Sequence, residues 1–249
     1  QNDDALEGTI MTATGDYRFL AGNVRGDSMF LSCFDGSHAF LFKAKMNENG
    51  SLDGGFWSGI HWFESWTAHR NENYTLPDAD TLTYLKEGFD KVEFCFPNLD
   101  SNMVCLEDKR FQDKVVIVQI LGSWCPNCMD ETALYAEVYD QYKNQGLEIV
   151  GLAFERSEDF DIAARNVMRL KNRFHAGYEF LLAGKASKKV AAEKLPMLNH
   201  VMSFPTSIFI NKTGEVVRIH TGFAGPATGS HYEQFVKDLH EMLLKLLAE

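Results

Sequence analysis

Residues 115–130, VVIVQILGSWCPNCMD, join an apolar run to two cysteines separated by two residues, and this junction decides how the rest of the chain is read. Val115 to Leu121 has strand length and is interrupted only by Gln119, the pattern of a strand covered on both faces. Pro126 to Gln145 reads as a helix ended by Gly146, with Pro126 where no backbone N–H is needed. Cys125 therefore falls at or just before the first helical turn, where unpaired N–H groups and the helix dipole favour a thiolate over a thiol. Cys128 follows about one turn later, near enough to close a disulfide. Such a pair can cycle. Cys125 attacks a substrate disulfide, Cys128 attacks Cys125 to release reduced substrate, and the reverse sequence oxidises a dithiol.

Two other uses of the cysteines fit less well. A zinc site needs further ligands, yet there is no second Cys-x-x-Cys and the eight histidines are scattered without ligand spacing, so neither a metal nor a cofactor is expected. A peroxide-reducing cysteine would be expected within Thr-x-x-Cys, whereas Gly122 stands three residues before Cys125 and Leu121 four.

Downstream the pattern alternates. Leu147 to Phe154 reads as a strand, Glu158 to Phe174 as a helix, Tyr178 to Leu182 as a short strand and Lys185 to Leu195 as a helix halted at Pro196. Thr206 to Ile210 and Glu215 to His220 form a hairpin, followed by an amphipathic helix from about Ser230 to Leu247. Upstream the grammar differs. Tyr17 to Val24, Met29 to Phe34, Ala39 to Lys45 and Gly55 to Ala68 alternate in strand fashion and are punctuated by Arg25-Gly26-Asp27, Asp35-Gly36 and Asn49-Gly50. The polar segment at 69–80 reads as a connection, which predicts a β-rich domain over 1–88 and an α/β domain over 89–249.

SWCPNC after an apolar strand, Phe204-Pro205-Thr206 before a later strand and the Lys-Thr-Gly turn at 212–214 together resemble the thioredoxin superfamily, and within it the TlpA/ResA-like thiol:disulfide oxidoreductases. A hairpin from Glu93 to Leu106, the phrase Gly146-Leu147-Glu148-Ile149-Val150 and an inserted helix before the proline strengthen the likeness, which covers about 90–249. It implies a thioredoxin fold with an N-terminal hairpin and an inserted helix, preceded here by a small, mainly antiparallel β domain without a family of its own. It also implies that Pro205 is cis and faces the dithiol, with Trp124, Pro126 and Phe204 supporting the site.

Thioredoxin buries an Asp six residues before its first cysteine; here that place holds Gln119, which cannot take up a proton. The resemblance supplies a glutamate just after the second core strand, matched by Glu155, although an ungapped match sets Arg156 there. Glu155 is the expected acid/base. Cys95 and Cys105 flank Asp100 in the hairpin, with Phe94, Phe96, Val104 and Leu106 alternating toward the core, so both cysteines point outward on one face as a possible structural disulfide. Cys33 reads as a small core hydrophobe.

A 249-residue chain with 45% hydrophobic and 24% charged residues can bury a sizeable core, and its net charge of −11 argues against nucleic acid or an anionic lipid surface as partner. No run approaches the roughly 18 apolar residues of a membrane span. The opening Gln1-Asn2-Asp3-Asp4 has no initiator Met and neither basic nor apolar leader character, so the expectation is that either a signal segment has been removed or the chain has been trimmed. The resemblance implies a periplasmic or envelope-anchored protein, a thiol- or disulfide-containing protein substrate and a membrane electron donor. The competing function is an envelope binding or chaperone-like module on a thioredoxin platform, suggested by the aromatic stretch GFWSGIHWFESW at 55–66.

Overall fold

The computed structural model describes residues 4–249; Gln1, Asn2 and Asp3, with which the sequence opens, lie outside the described residues. By their internal contacts the residues form two units, one running through Leu76 and including Ala224–Tyr232, the other comprising Pro77–Phe223 and Glu233–Glu249.

The first unit holds a six-stranded antiparallel sheet of β1 (Ala5–Gly8), β4 (Leu20–Arg25), β5 (Ser28–Phe34), β6 (Ala39–Met46), β7 (Leu52–Ser58) and β8 (Trp62–Ala68), in that spatial order, with a two-residue ladder of β2 (Met11–Thr12) and β3 (Gly15–Asp16) beside it in sequence. The stretch read as one alternating run over 55–68 is two strands. Gly59 has a positive φ of 57°, which lets the chain reverse between Ser58 and Trp62. A small core gathers Leu20, Leu31 and Phe42, against which the Tyr17 ring packs edge-on to Phe40, Phe42 and Phe56 at centroid distances of 5.1–5.4 Å. Cys33 borders this core half-buried, its thiol donating to the Tyr17 carbonyl at 3.3 Å.

The second unit begins with α1 (Ala79–Leu82) and the hairpin β9 (Cys95–Pro97) and β10 (Met103–Cys105). There follow β11 (Val115–Leu121), α2 (Pro126–Tyr142), β12 (Leu147–Glu155), α3 (Phe160–Arg173), β13 (Glu179–Lys185), α4 (Lys188–Lys194), β14 (Thr206–Ile210), β15 (Val216–Thr221) and α5 (Ser230–Ala248). The sheet order is β13-β12-β11-β14-β15, with β11, β12 and β13 parallel and β14 and β15 antiparallel. This is a thioredoxin-like fold with an added hairpin and, in α4, an added helix.

Every residue of β11 is buried, as its near-continuous apolar composition requires of a central strand. In β12, Gly151 sits opposite Gln119, and a Cβ there would come within 2.7 Å of the Phe180 ring. Helix α2 buries Cys128, Glu131, Thr132, Tyr135, Val138 and Tyr142 along one face, with Pro126, Leu134 and Ala136 buried as well. It passes through a short 3₁₀ turn to Gly146, whose φ of 104° ends it. The strand ends of β11 and β14 and the N-terminus of α2 thus converge on one place.

Candidate active site

Cys125 occupies the N-cap of α2, and the backbone N–H of Cys128 donates to its Sγ at 3.3 Å. The Cα atoms of the two cysteines are 5.2 Å apart and their sulphurs are within disulfide reach. Cys125 is 6% exposed and Cys128 fully buried, so an incoming disulfide meets Cys125 first. A thiolate at Cys125 has the unpaired N–H groups of the first turn and the positive end of α2 beside it. Pro126 fills the first helical position, where the absent N–H costs no hydrogen bond.

The surrounding loops hold this terminus from both sides. Gly122 has no side chain, which leaves room for the Trp124 indole; its N–H donates to the Phe154 carbonyl at 2.9 Å. Asn127 Nδ2 donates to the Phe223 carbonyl at 2.9 Å. The Phe204–Pro205 peptide is cis, the Phe204 carbonyl oxygen lies 3.5 Å from Cys125 Sγ, and the Phe204 ring meets Trp124 edge-on at 5.7 Å. Trp124, Pro126, Phe204 and Pro205 are therefore gathered around Cys125.

Beneath the dithiol is a buried polar network that the sequence reading did not single out. Gln119 Nε2 donates to Glu131 Oε2 at 2.8 Å and to Thr132 Oγ1 at 3.2 Å, and Ser207 Oγ donates to Glu131 Oε1 at 2.9 Å. The Tyr178 hydroxyl donates to Gln119 Oε1 at 3.0 Å. Burial pushes the Glu131 carboxyl up to about 7, outweighing the donors from Gln119 and Ser207 that favour its charged form. The carboxyl missing from β11 at Gln119 is supplied from α2, one turn beyond Cys128 on the same helix face, where Cβ atoms are about 5–6 Å apart. A carboxylate one helical turn after the second cysteine, in a helix that buries about half of its residues, was the available signal.

Glu155 is 2% exposed at the end of β12, and Arg156 is exposed. Glu155 is the last residue of β12, a strand covered on both faces, whereas Arg156 lies just beyond it in an exposed bend. Glu155 accepts the Ser123 backbone N–H at 2.7 Å and the Ser123 hydroxyl at 2.8 Å, so both carboxylate oxygens grip the loop two residues before Cys125. Burial raises its pKa; the Ser123 donors and Arg156 act in the opposite direction.

Cys95 and Cys105 stand opposite each other in the β9–β10 ladder, Cα atoms 4.1 Å apart, and are joined as a disulfide. Among the described residues, Cys95, Cys105 and Glu107 form a grouping with donor atoms within 4.8 Å of one another, but two of its three donors are engaged in that bond. The aromatic stretch at 55–66 is divided between faces: Phe56 and Trp66 pack on the small core, while Trp62 and Phe63 are each 59% exposed. Among the described residues no helix is long and apolar enough to cross a membrane.

The profile of the AhpC/TSA family matches residues 90–219, just over half of the chain. Thiol-disulfide oxidoreductase ResA of Halalkalibacterium halodurans is 26% identical over 158 residues, covering 64% of this chain and 77% of that protein. The protein of the same name from Bacillus subtilis strain 168 is 27% identical over 153 residues, covering 61% and 77%. A solved structure of a hypothetical protein from Sinorhizobium meliloti 1021 superposes with a TM-score of 0.52 at 18% identity, over 66% of this chain and 86% of that one, a likeness of fold.

Proposed function

The chain belongs to the AhpC/TSA family of the thioredoxin superfamily, and from that premise we propose that it is a thiol:disulfide oxidoreductase in which Cys125 is the attacking thiol and Cys128 the resolving one. The observation that carries the reading is the asymmetry of the pair. One sulphur caps a helix N-terminus and retains a small opening to solvent, and the other is sealed behind it within reach.

Cys125 opens a substrate disulfide by forming a Cys125–substrate bond while the substrate's other sulphur leaves as a thiolate. Cys128 then displaces the first substrate sulphur, leaving a Cys125–Cys128 disulfide and a substrate dithiol. The second step requires Cys128 to lose its proton inside the core. Glu131, with its elevated pKa, is the group proposed to take it, and Glu155 is proposed to act through Ser123 by holding the loop and, when protonated, by keeping negative charge away from the Cys125 thiolate. Trp124, Phe204 and Pro205 shape the approach to Cys125.

The substrate proposed is a protein disulfide, the favoured direction is reduction and the compartment is the bacterial cell envelope, with electrons supplied by a membrane donor; the resemblance to ResA-named proteins supports these assignments. The β-rich unit is proposed as a separate domain and the thioredoxin-like unit as the catalytic one. Stopped-flow mixing of the reduced protein with a disulfide-cyclised peptide tests the activity. Exchange well above that of free dithiol at equal concentration is expected, and a rate equal to free dithiol would refute it.

An envelope location suits a structural disulfide between Cys95 and Cys105. Peptide mapping of native protein without reductant is expected to recover the two as one linked peptide. Two freely alkylated thiols would reject the pairing.

A further inference from the structure

A cavity of about 360 Å³ is lined by Ser123, Trp124 and Met129, neighbours of the dithiol in sequence, and by Arg156, Asn166, Arg169 and Arg173. Residues 166, 169 and 173 recur at three and four along α3, so one face of that helix carries the polar wall. The three arginines are exposed, and among the described residues none of them forms an ion pair. Arg156 is held over the Trp124 ring, its guanidinium carbon 5.1 Å from the centroid, next to the attacking cysteine. Glu155, the acidic group in the wall, is buried and directs both oxygens to Ser123. A protein of net charge −11 thus places three exposed guanidinium groups on a groove whose lining includes Ser123 and Trp124, the two residues before Cys125.

Resting on the oxidoreductase reading, we propose that this groove binds an acidic polypeptide segment flanking the substrate cysteine and so selects among disulfides. Guanidinium groups pair with carboxylates through parallel N–H donors. Arg169 and Arg173 lie one helical turn apart, and the wall from Asn166 to Arg173 spans about 10 Å. That length suits about three residues of extended chain. A single phosphate would call for convergent donors, whereas here they are strung out along the helix. Three guanidinium groups on one groove of a molecule of net charge −11 favour an acidic segment there.

The test compares two disulfide-cyclised peptides that differ only in carrying three glutamates or three glutamines beside one cysteine, with dithiothreitol as terminal reductant. Wild type at low ionic strength is expected to prefer the acidic peptide in kcat/KM by about ten-fold, the scale of two or three exposed ion pairs, with the difference in KM. The Arg169→Gln/Arg173→Gln double variant, altered at exposed positions, is expected to lose this preference and keep wild-type turnover of the glutamine peptide. Charge reversal to glutamate at both positions should invert the preference, and 0.5 M salt should erase it.

An unchanged preference in the double variant would overturn the proposal. So would arginine dependence seen with the mixed disulfide of coenzyme A and not with the acidic peptide, which would assign the groove to small phosphorylated thiols. Should wild type turn over neither peptide, the oxidoreductase reading fails separately; the groove is then judged by fluorescence anisotropy of a labelled, cysteine-free acidic peptide. Binding weakened by the double variant sustains the groove, and equal or absent binding refutes it.

Discussion

Cys125→Ser is expected to reduce disulfide exchange to background, a loss on the order of a thousand-fold or more, because a hydroxyl cannot form the mixed disulfide. The fold should survive. Serine is a preferred N-cap residue, so the side chain that now accepts the Cys128 N–H is replaced by one that accepts it at least as well. Circular dichroism and a melting temperature near that of wild type would establish that the loss is chemical. Residual exchange within a few-fold of wild type would mean that Cys125 is not the nucleophile.

Glu131→Gln should separate the two chemical steps. Attack by Cys125 is expected to be unaffected, as read by its alkylation rate, while resolution by Cys128 slows by about a hundred-fold, the lower range for loss of a positioned base. The wild-type resolving rate should rise with pH through about 7, where Glu131 ionises, and the variant should lack that inflection. Stability gives an independent reading. The folded carboxyl holds its proton more tightly than the unfolded one, so Glu131 lets stability stand highest below the ordinary glutamate range and lowers it as pH climbs to about 7. The decline it contributes is on the order of 3 kcal/mol, and glutamine should remove it. Glu155→Gln serves as the contrast. Loosening the Ser123 loop should lower turnover without moving the inflection near 7. If Glu155→Gln abolishes the inflection and Glu131→Gln preserves it, the two carboxyls exchange roles.

The thioredoxin-like unit could be read from the chain because its signals are local. The apolar run of β11, the Pro126 start and Gly146 stop of α2, and Pro196 after α4 each mark an element within a few residues of its observed end. Strand β1 escaped notice because Ala-Leu-Glu-Gly has one apolar side chain of any size, and the strand is defined by pairing with β4. The chemistry divides similarly. Cys125 and Cys128 announce themselves by spacing, whereas Glu131 acquires its meaning from Gln119 and Ser207, 12 and 76 residues away. The arginine groove is more remote still: Arg156 follows a strand while Arg169 and Arg173 belong to the next helix, and the fold alone brings them to one wall.

The division of labour between the two cysteines is tested most directly by a trap. Cys128→Ser, or Cys128→Ala should the buried hydroxyl impair folding, keeps the nucleophile and removes the resolving thiol. Incubated with an envelope extract and separated without reductant, the variant is expected to accumulate higher-mass species joined through Cys125, which collapse on addition of dithiothreitol and are absent from a variant lacking both cysteines. Mass spectrometry of the released partners would name the substrates and show whether acidic residues flank the trapped cysteine. Absence of any mixed disulfide at Cys125, under conditions in which wild type turns over, would contradict the assignment of Cys125 as attacking and Cys128 as resolving thiol.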